Sequence, residues 1–297
     1  MRHPLLALLA CLAAAPVAAQ RLSYEGSLGV SSGSYIFPDR TTTYGLISGL
    51  ALNTGALTLR AAIPVWLQNS TLIAASAPGL PGTGMPSSGP TAGGGAPTGG
   101  SSSDSVNSGR GNGGHGGMGA TRAAESHGPV NVPDSSYTGF QTAIGDPLAS
   151  ATIEALGGDR FSLSISGYVK FPVSDTSSFG TGEWDFGAGI GSTLRLGERT
   201  LLGMDLGWWH LGDMPGLEFE DPVGGTLSLS HLLSADWGGI VFASGYTASI
   251  DGYEAPVAVG VGLTRFIGKA NWGIQGGAGL TETSPDFYLT TFWRIDL

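Results

Sequence analysis

Residues 160–172 read RFSLSISGYVKFP, and the way this stretch alternates decides the fold. Phe161, Leu163, Ile165, Val169 and Phe171 fall on one parity, while Ser162, Ser164, Ser166, Tyr168 and Lys170 fall on the other. A β-strand turns successive side chains to opposite faces, so this strand presents one oily face and one hydrophilic face. The first asks for lipid and the second for water. Two other stretches repeat the pattern. Within 56–68, Leu57, Leu59, Ile63, Val65 and Leu67 oppose Thr58, Arg60 and Gln68. Within 184–196, Phe186, Ile190, Leu194 and Leu196 oppose Asp185, Thr193 and Arg195.

Outward from these three, about twelve segments of this kind run from Arg21 to the C-terminus, each bounded by Gly, Pro, Asn, Asp or Ser. That repetition is the mark of barrel strands. A soluble β-sandwich shares part of it, and two further patterns separate the cases. First, the charges Glu25, Arg60, Lys170, Glu183, Asp185, Arg195, Asp205, Arg294 and Asp296 take the parity opposite the apolar residues. They must do so if the apolar face meets hydrocarbon, where a midplane Arg or Lys costs roughly 2–4 kcal/mol. These nine residues are the candidates for lining the lumen, by pairing there or by setting what passes. Second, the connections alternate in length. Tight turns fall at 53–55, 157–159, 197–199, 235–236 and 268–269, and longer links at 32–40, 69–136, 173–182, 212–221, 251–254 and 281–286. Short periplasmic turns alternating with long external loops are the rule for such barrels, so both termini are expected in the periplasm.

Aromatic residues gather near strand ends, as Tyr24, Tyr44, Phe171, Trp184, Trp208, Trp272, Phe287 and Trp293, which suits girdles at the two membrane interfaces. In the last strand Phe287, Leu289, Trp293, Ile295 and Leu297 carry the alternation to the C-terminus, the pattern on which barrel assembly depends, with Leu in the final place rather than Phe. The expected fold is therefore all-β: a single transmembrane up-and-down antiparallel β-barrel of about 12 strands over residues 20–297. Residues 69–136, rich in Gly and Ser and poor in apolar side chains, are expected as a low-complexity external loop between strands 3 and 4. The expected partners are outer-membrane lipid and lipopolysaccharide, the barrel-assembly machinery and a small-molecule solute.

Composition excludes other classes. No stretch beyond residue 19 approaches the ~20 apolar residues that a spanning helix needs. The 13 basic residues are too scattered, against a net charge of −10, to neutralise a run of phosphates, so no nucleic-acid partner is expected. Residues 1–19 read as a cleaved signal peptide: Arg2, the apolar run Leu5 to Ala15, then Pro16-Val17-Ala18-Ala19 before Gln20. Leu8-Leu9-Ala10-Cys11 also resembles a lipoprotein processing box, with a short apolar run before it. Cleavage after Ala19 removes Cys11, the one cysteine, and with it any disulfide or thiolate site. The expected destination is the outer membrane of a Gram-negative bacterium.

Few residues suggest chemistry beyond this. His115, Met118 and His127 in the long loop have donor types that suit copper or nickel, but ordering a floppy chain around an ion is costly, so no metal or cofactor is expected. His210 and the Ser230-His231 pair invite comparison with lipid-face hydrolases. They sit at opposite ends of their strands and have no evident third partner, so no enzyme is expected.

Residues 171–212 read FPVSDTSSFGTGEWDFGAGIGSTLRLGERTLLGMDLGWWHLG, with Gly180-Thr181-Gly182-Glu183-Trp184-Asp185-Phe186 at the centre. This stretch resembles the meta-pathway phenol-degradation outer-membrane proteins, and Gly145-Asp146-Pro147-Leu148 is similar to the Gly-Asp-Leu that opens a strand in that family. The resemblance implies a transporter-like barrel over the mature chain outside the long loop. The expected function is passive passage of small solutes, aromatic or hydrophobic ones included. The alternative is a structural or surface-interaction barrel with a closed lumen.

Overall fold

In the computed structural model the residues described are 21–33, 40–69, 139–174, 182–213 and 218–297. The expected signal peptide, Cys11, His115, Met118, His127 and all but the first residue of the 69–136 loop lie outside them. Thirteen strand segments form the wall: β1 (Arg21–Gly33), β2 (Thr41–Asn53), β3 (Leu57–Gln68), β4 (Gln141–Ile144), β5 (Leu148–Gly157), β6 (Phe161–Lys170), β7 (Asp185–Arg195), β8 (Thr200–His210), β9 (Val223–Leu232), β10 (Trp237–Tyr246), β11 (Val257–Ile267), β12 (Ala270–Gly279) and β13 (Phe287–Asp296). Neighbours along the chain pair antiparallel, except that β4 and β5 both pair with β3, and β1 pairs with β13 from Ser23↔Asp296 to Ser32↔Phe287, which closes the ring. Closure pairs the first and last strands, so the sheet has no free edge there, as a membrane wall requires.

The thirteen segments make twelve staves, because β4 and β5 both pair with β3 and together form the fourth. The break between them has a chemical cause. Val65 faces Ile144 and Ala62 faces Leu148, so Gly145-Asp146-Pro147 stands opposite Ile63-Pro64, three residues against two. Pro64 and Pro147 both lack an N–H, and the ladder cannot continue where two donors are missing. The extra residue is a bulge. It reverses parity along the stave, so Ile144 points out at 64% exposure while Leu148 packs inward.

The two ends of the ring differ as the sequence predicts. One end carries only short turns, at 54–56, 158–160, 196–199, 233–236 and 268–269. In the tightest, Gly268 takes φ 58°, a left-handed conformation that suits the two-residue hairpin and that a side chain would resist. The opposite end carries all the long connections. We call these the turn end and the loop end.

Alternation resolves into an outside and an inside. Leu28, Leu46, Ile63, Ile165, Ile190, Leu206, Val241, Val261 and Leu289 are all exposed apolar side chains, each from a different strand. On a water-soluble protein an apolar surface running round the whole molecule would drive aggregation. On a barrel it is the lipid-facing band. The inward parity carries Ser23, Glu25, Ser27, Thr43, Gln68, Ser162, Ser164, Ser166, Asp185, Thr226 and Thr290, all buried.

The rule that strand charges avoid the apolar face has an exception, which corrects the expectation. Arg265 of β11 is exposed on the outward parity between Leu263 and Ile267. Its place explains why it is tolerated. It lies two residues from the turn end, where the cost of an outward Arg falls to about 0–1 kcal/mol, and its guanidinium sits 5.6 Å from the centre of the Trp237 ring.

Candidate functional site

The candidate site is the lumen, and its wall is built from glycines paired with rings. A Cβ added at Gly187 or Gly207 would strike the Trp209 ring, one at Gly224 the Tyr246 ring, one at Gly277 the Tyr288 ring, one at Gly273 the Phe292 ring, and one at Gly145 the Trp66 ring. Each glycine is thus a recess in which an inward ring lies against the wall. At the loop end Trp209, Leu211 and Tyr246 cluster with Leu148, Tyr168 and Phe219, and Trp209 meets Tyr246 edge-on at 5.3 Å. A second group joins Trp66 to Ile47 and Ala143.

Two charged assemblies stand among these rings. At the loop end, Lys170 closes β6 and Asp185 opens β7 in direct register. The Lys170 Nζ lies 2.7 Å from Asp185 Oδ2 and 3.6 Å from Asp146 Oδ2, with all three side chains at most 3% exposed. Both carboxylates also accept from backbone. Asp146 Oδ1 accepts the N–H groups of Val173 and Ser174, and Asp185 Oδ1 accepts that of Gly212. The knot therefore pins the start of two long connections to the bulged stave. Sequence parity gave Lys170 and Asp185 but missed Asp146, because a residue inside a strand break carries no alternation to read. The Pro147 that follows it was the available signal.

Near the turn end, Glu25 of β1 stands directly opposite Arg294 of β13. Its Oε2 accepts from Arg60 Nε at 3.2 Å, its Oε1 lies 3.4 Å from Arg294 Nη1, and Arg294 Nε donates to Asp296 Oδ1 at 3.1 Å. Two guanidiniums and two carboxylates balance. Exposure is graded here, from 6% for Glu25 to 15% for Arg60 and 32% for Asp296.

Three further candidates stand elsewhere. Asp205 is half-buried at an inward position of β8. Arg195 is exposed at the last position of β7, its Nε donating to the Asp159 carbonyl at 2.9 Å. Glu183 is exposed in the connection before β7, outside the strand. The histidines stay apart as well. Thr200 pairs with His231 and His210 closes the same strand ten residues on, about 34 Å away along the wall. His210 Nδ1 contacts Asp221 Oδ1 at 2.9 Å, His231 Nδ1 contacts the Thr200 hydroxyl at 2.9 Å, and Ser230 is buried while His231 is exposed. Among the described residues no three His, Cys, Asp or Glu side chains are placed to hold a metal ion.

This architecture is found in a solved protein. The crystal structure of an outer membrane channel from Pseudomonas putida F1 superposes with a TM-score of 0.55 at 14% identity, over 94% of this chain and 96% of that one. The chain shares the fold of an outer-membrane channel. The KdgM porin gives a TM-score of 0.47 at 4% identity over 93% of this chain and 99% of its own, and the CymD monoaromatic hydrocarbon channel 0.44 at 7% over 94% and 88%. No family model and no curated protein matches the chain. The barrel that the resemblance implied is the barrel found.

Proposed function

We propose that the protein is an outer-membrane channel that passes small solutes down their gradients, aromatic and hydrophobic ones among them. The observation that carries this reading is the recessing of inward rings onto glycines in a wall of twelve staves. Eight strands enclose a space that side chains just fill, and about sixteen to eighteen an open aqueous channel. Twelve leave a restricted conduit, and rings laid back onto glycines take up less of its width than rings standing over larger residues would. The buried and half-buried charges on the inward parity would select within it: Glu25, Arg60, Arg294 and Asp296 near the turn end, Lys170 and Asp185 at the loop end, and Asp205 between.

The rest of the arrangement follows from this function. Residues 1–19 direct export, the barrel-assembly machinery receives the C-terminal strand, the turn end faces the periplasm, and the loop end faces the lipopolysaccharide. A closed, structural barrel is the competing reading, favoured by the burial of Trp209, Tyr246 and Lys170 at the loop end. Planar-bilayer recordings of refolded protein decide between them. The channel predicts discrete conductance steps for the full chain, or at least for the variant with 69–136 deleted. Silence from both forms, with folding verified, overturns it.

A further inference from the structure

On the outward face near the turn end, four strands in succession place one aromatic or basic residue side by side. Trp237 of β10 pairs with Arg265 of β11, Arg265 with Trp272 of β12, and Trp272 with Trp293 of β13. The Trp293 ring lies over Gly26 of β1, which ends the row. Trp237 and Trp272 are 37% and 42% exposed, so Arg265 has an accessible indole in register on each neighbouring strand.

The charge in this row is unbalanced. Two other bases open to solvent have carboxylate partners, Arg40 with Asp286 and His210 with Asp221. Arg265 has only the Trp237 ring, and no carboxylate reaches it among the described residues. A guanidinium offers five N–H donors in a planar fork that matches a phosphate. An indole adds one N–H and prefers the headgroup level of a bilayer. Lys269, exposed in the adjoining β11–β12 turn, adds a second positive charge on the same side of the barrel.

We propose that the Trp237–Arg265–Trp272 row is a docking site for the phosphate of an anionic glycerophospholipid in the leaflet at the turn end. The phosphate takes the donors of Arg265, the indoles bracket the glycerol, and the acyl chains run along the outward apolar side chains of β10 to β12. The site depends on the barrel lying in a membrane and not on whether solute passes, so loss of conductance leaves it untouched.

The test uses the full-length folded protein in phosphatidylcholine bicelles, with or without phosphatidylglycerol of the same acyl chains. Phosphatidylglycerol is expected to raise the unfolding temperature of the unaltered protein by several degrees. Arg265→Gln is expected to abolish that rise while leaving the value in pure phosphatidylcholine unchanged, and Arg265→Lys to keep part of it. An equal rise in Arg265→Gln overturns the site, and so does an equal effect of soluble glycerol phosphate. Native mass spectrometry of the unaltered protein keeps the test independent of the variants: preferential retention of phosphatidylglycerol over phosphatidylcholine supports the site, and equal retention overturns it.

Discussion

The knot at the loop end and the charge network near the turn end use the same kinds of side chain to opposite effect. In the knot one ammonium serves two carboxylates, every member is buried, and the acids are also committed to the backbone of Val173, Ser174 and Gly212. In the network two guanidiniums serve two acids at 3.1–3.4 Å, spread over β1, β3 and β13, and Asp296 remains 32% exposed. Lys170 has no slack and Arg60 has some. The knot is a fastener for the mouth, whereas the network, buried at Glu25 and Arg294, opens toward water at Arg60 and Asp296. Burial makes the distinction, since a pair out of water must be satisfied from within while a wetted pair can exchange partners with solvent.

Removing the central cation gives the sharpest contrast. Lys170→Met leaves two carboxylates facing each other without a counter-charge, and loss of one partner of a buried pair costs about 3–5 kcal/mol. The expected result is a large fall in the temperature at which the folded form is lost on gels. Lys170→Met combined with Asp146→Asn and Asp185→Asn should recover much of it. If Lys170→Met melts like the unaltered protein, the knot is not a fastener and the comparison fails.

The same substitution made in the network should act differently. Arg294→Gln leaves Glu25 still paired with Arg60, so the stability cost should be roughly 1–2 kcal/mol, between the values for buried and exposed pairs. The clearer effect is expected on selectivity. One positive charge fewer on the inward face should move the reversal potential in a salt gradient toward cation preference. An unchanged reversal potential in a conducting variant would mean that Arg294 does not face the path.

How much of this was legible beforehand depends on what each residue's neighbours reveal. Phe161 to Lys170 could be read directly, because ten residues alternate without interruption and a barrel wall imposes that period on everything it holds. The short turns were legible for the same reason, since Gly268-Lys269 can only join two such runs. Three features were not. Asp146 sits in a bulge, where parity is undefined, and its meeting with Lys170 needs the registers of three strands. Trp209 takes its meaning from Gly187 on β7 and from Gly207 two positions before it, and a ring's recess is invisible until strands are paired. Arg265 broke a charge rule whose force depends on depth in the bilayer, and depth is a property of the assembled barrel. Period travels along one strand; register and depth do not.

The smallest effect is expected where the geometry looks strongest. Arg40 Nη2 approaches Asp286 Oδ2 more closely than Lys170 approaches Asp185, yet both side chains are about half exposed, at 54% and 51%. Water solvates each ion nearly as well apart as together, and holding two long side chains in one geometry costs entropy. Such pairs contribute about 0–1 kcal/mol, and salt screens them further. Arg40 also donates from Nη1 to the Ser32 hydroxyl at 3.3 Å, an uncharged partner whose bond salt screens less than an ion pair. Arg40→Ala should therefore shift the unfolding temperature only slightly, and the shift should shrink as salt is raised, whereas that of Lys170→Met should not respond. A salt-insensitive loss in Arg40→Ala as large as that of Lys170→Met would show that length of contact, and not burial, ranks these ion pairs.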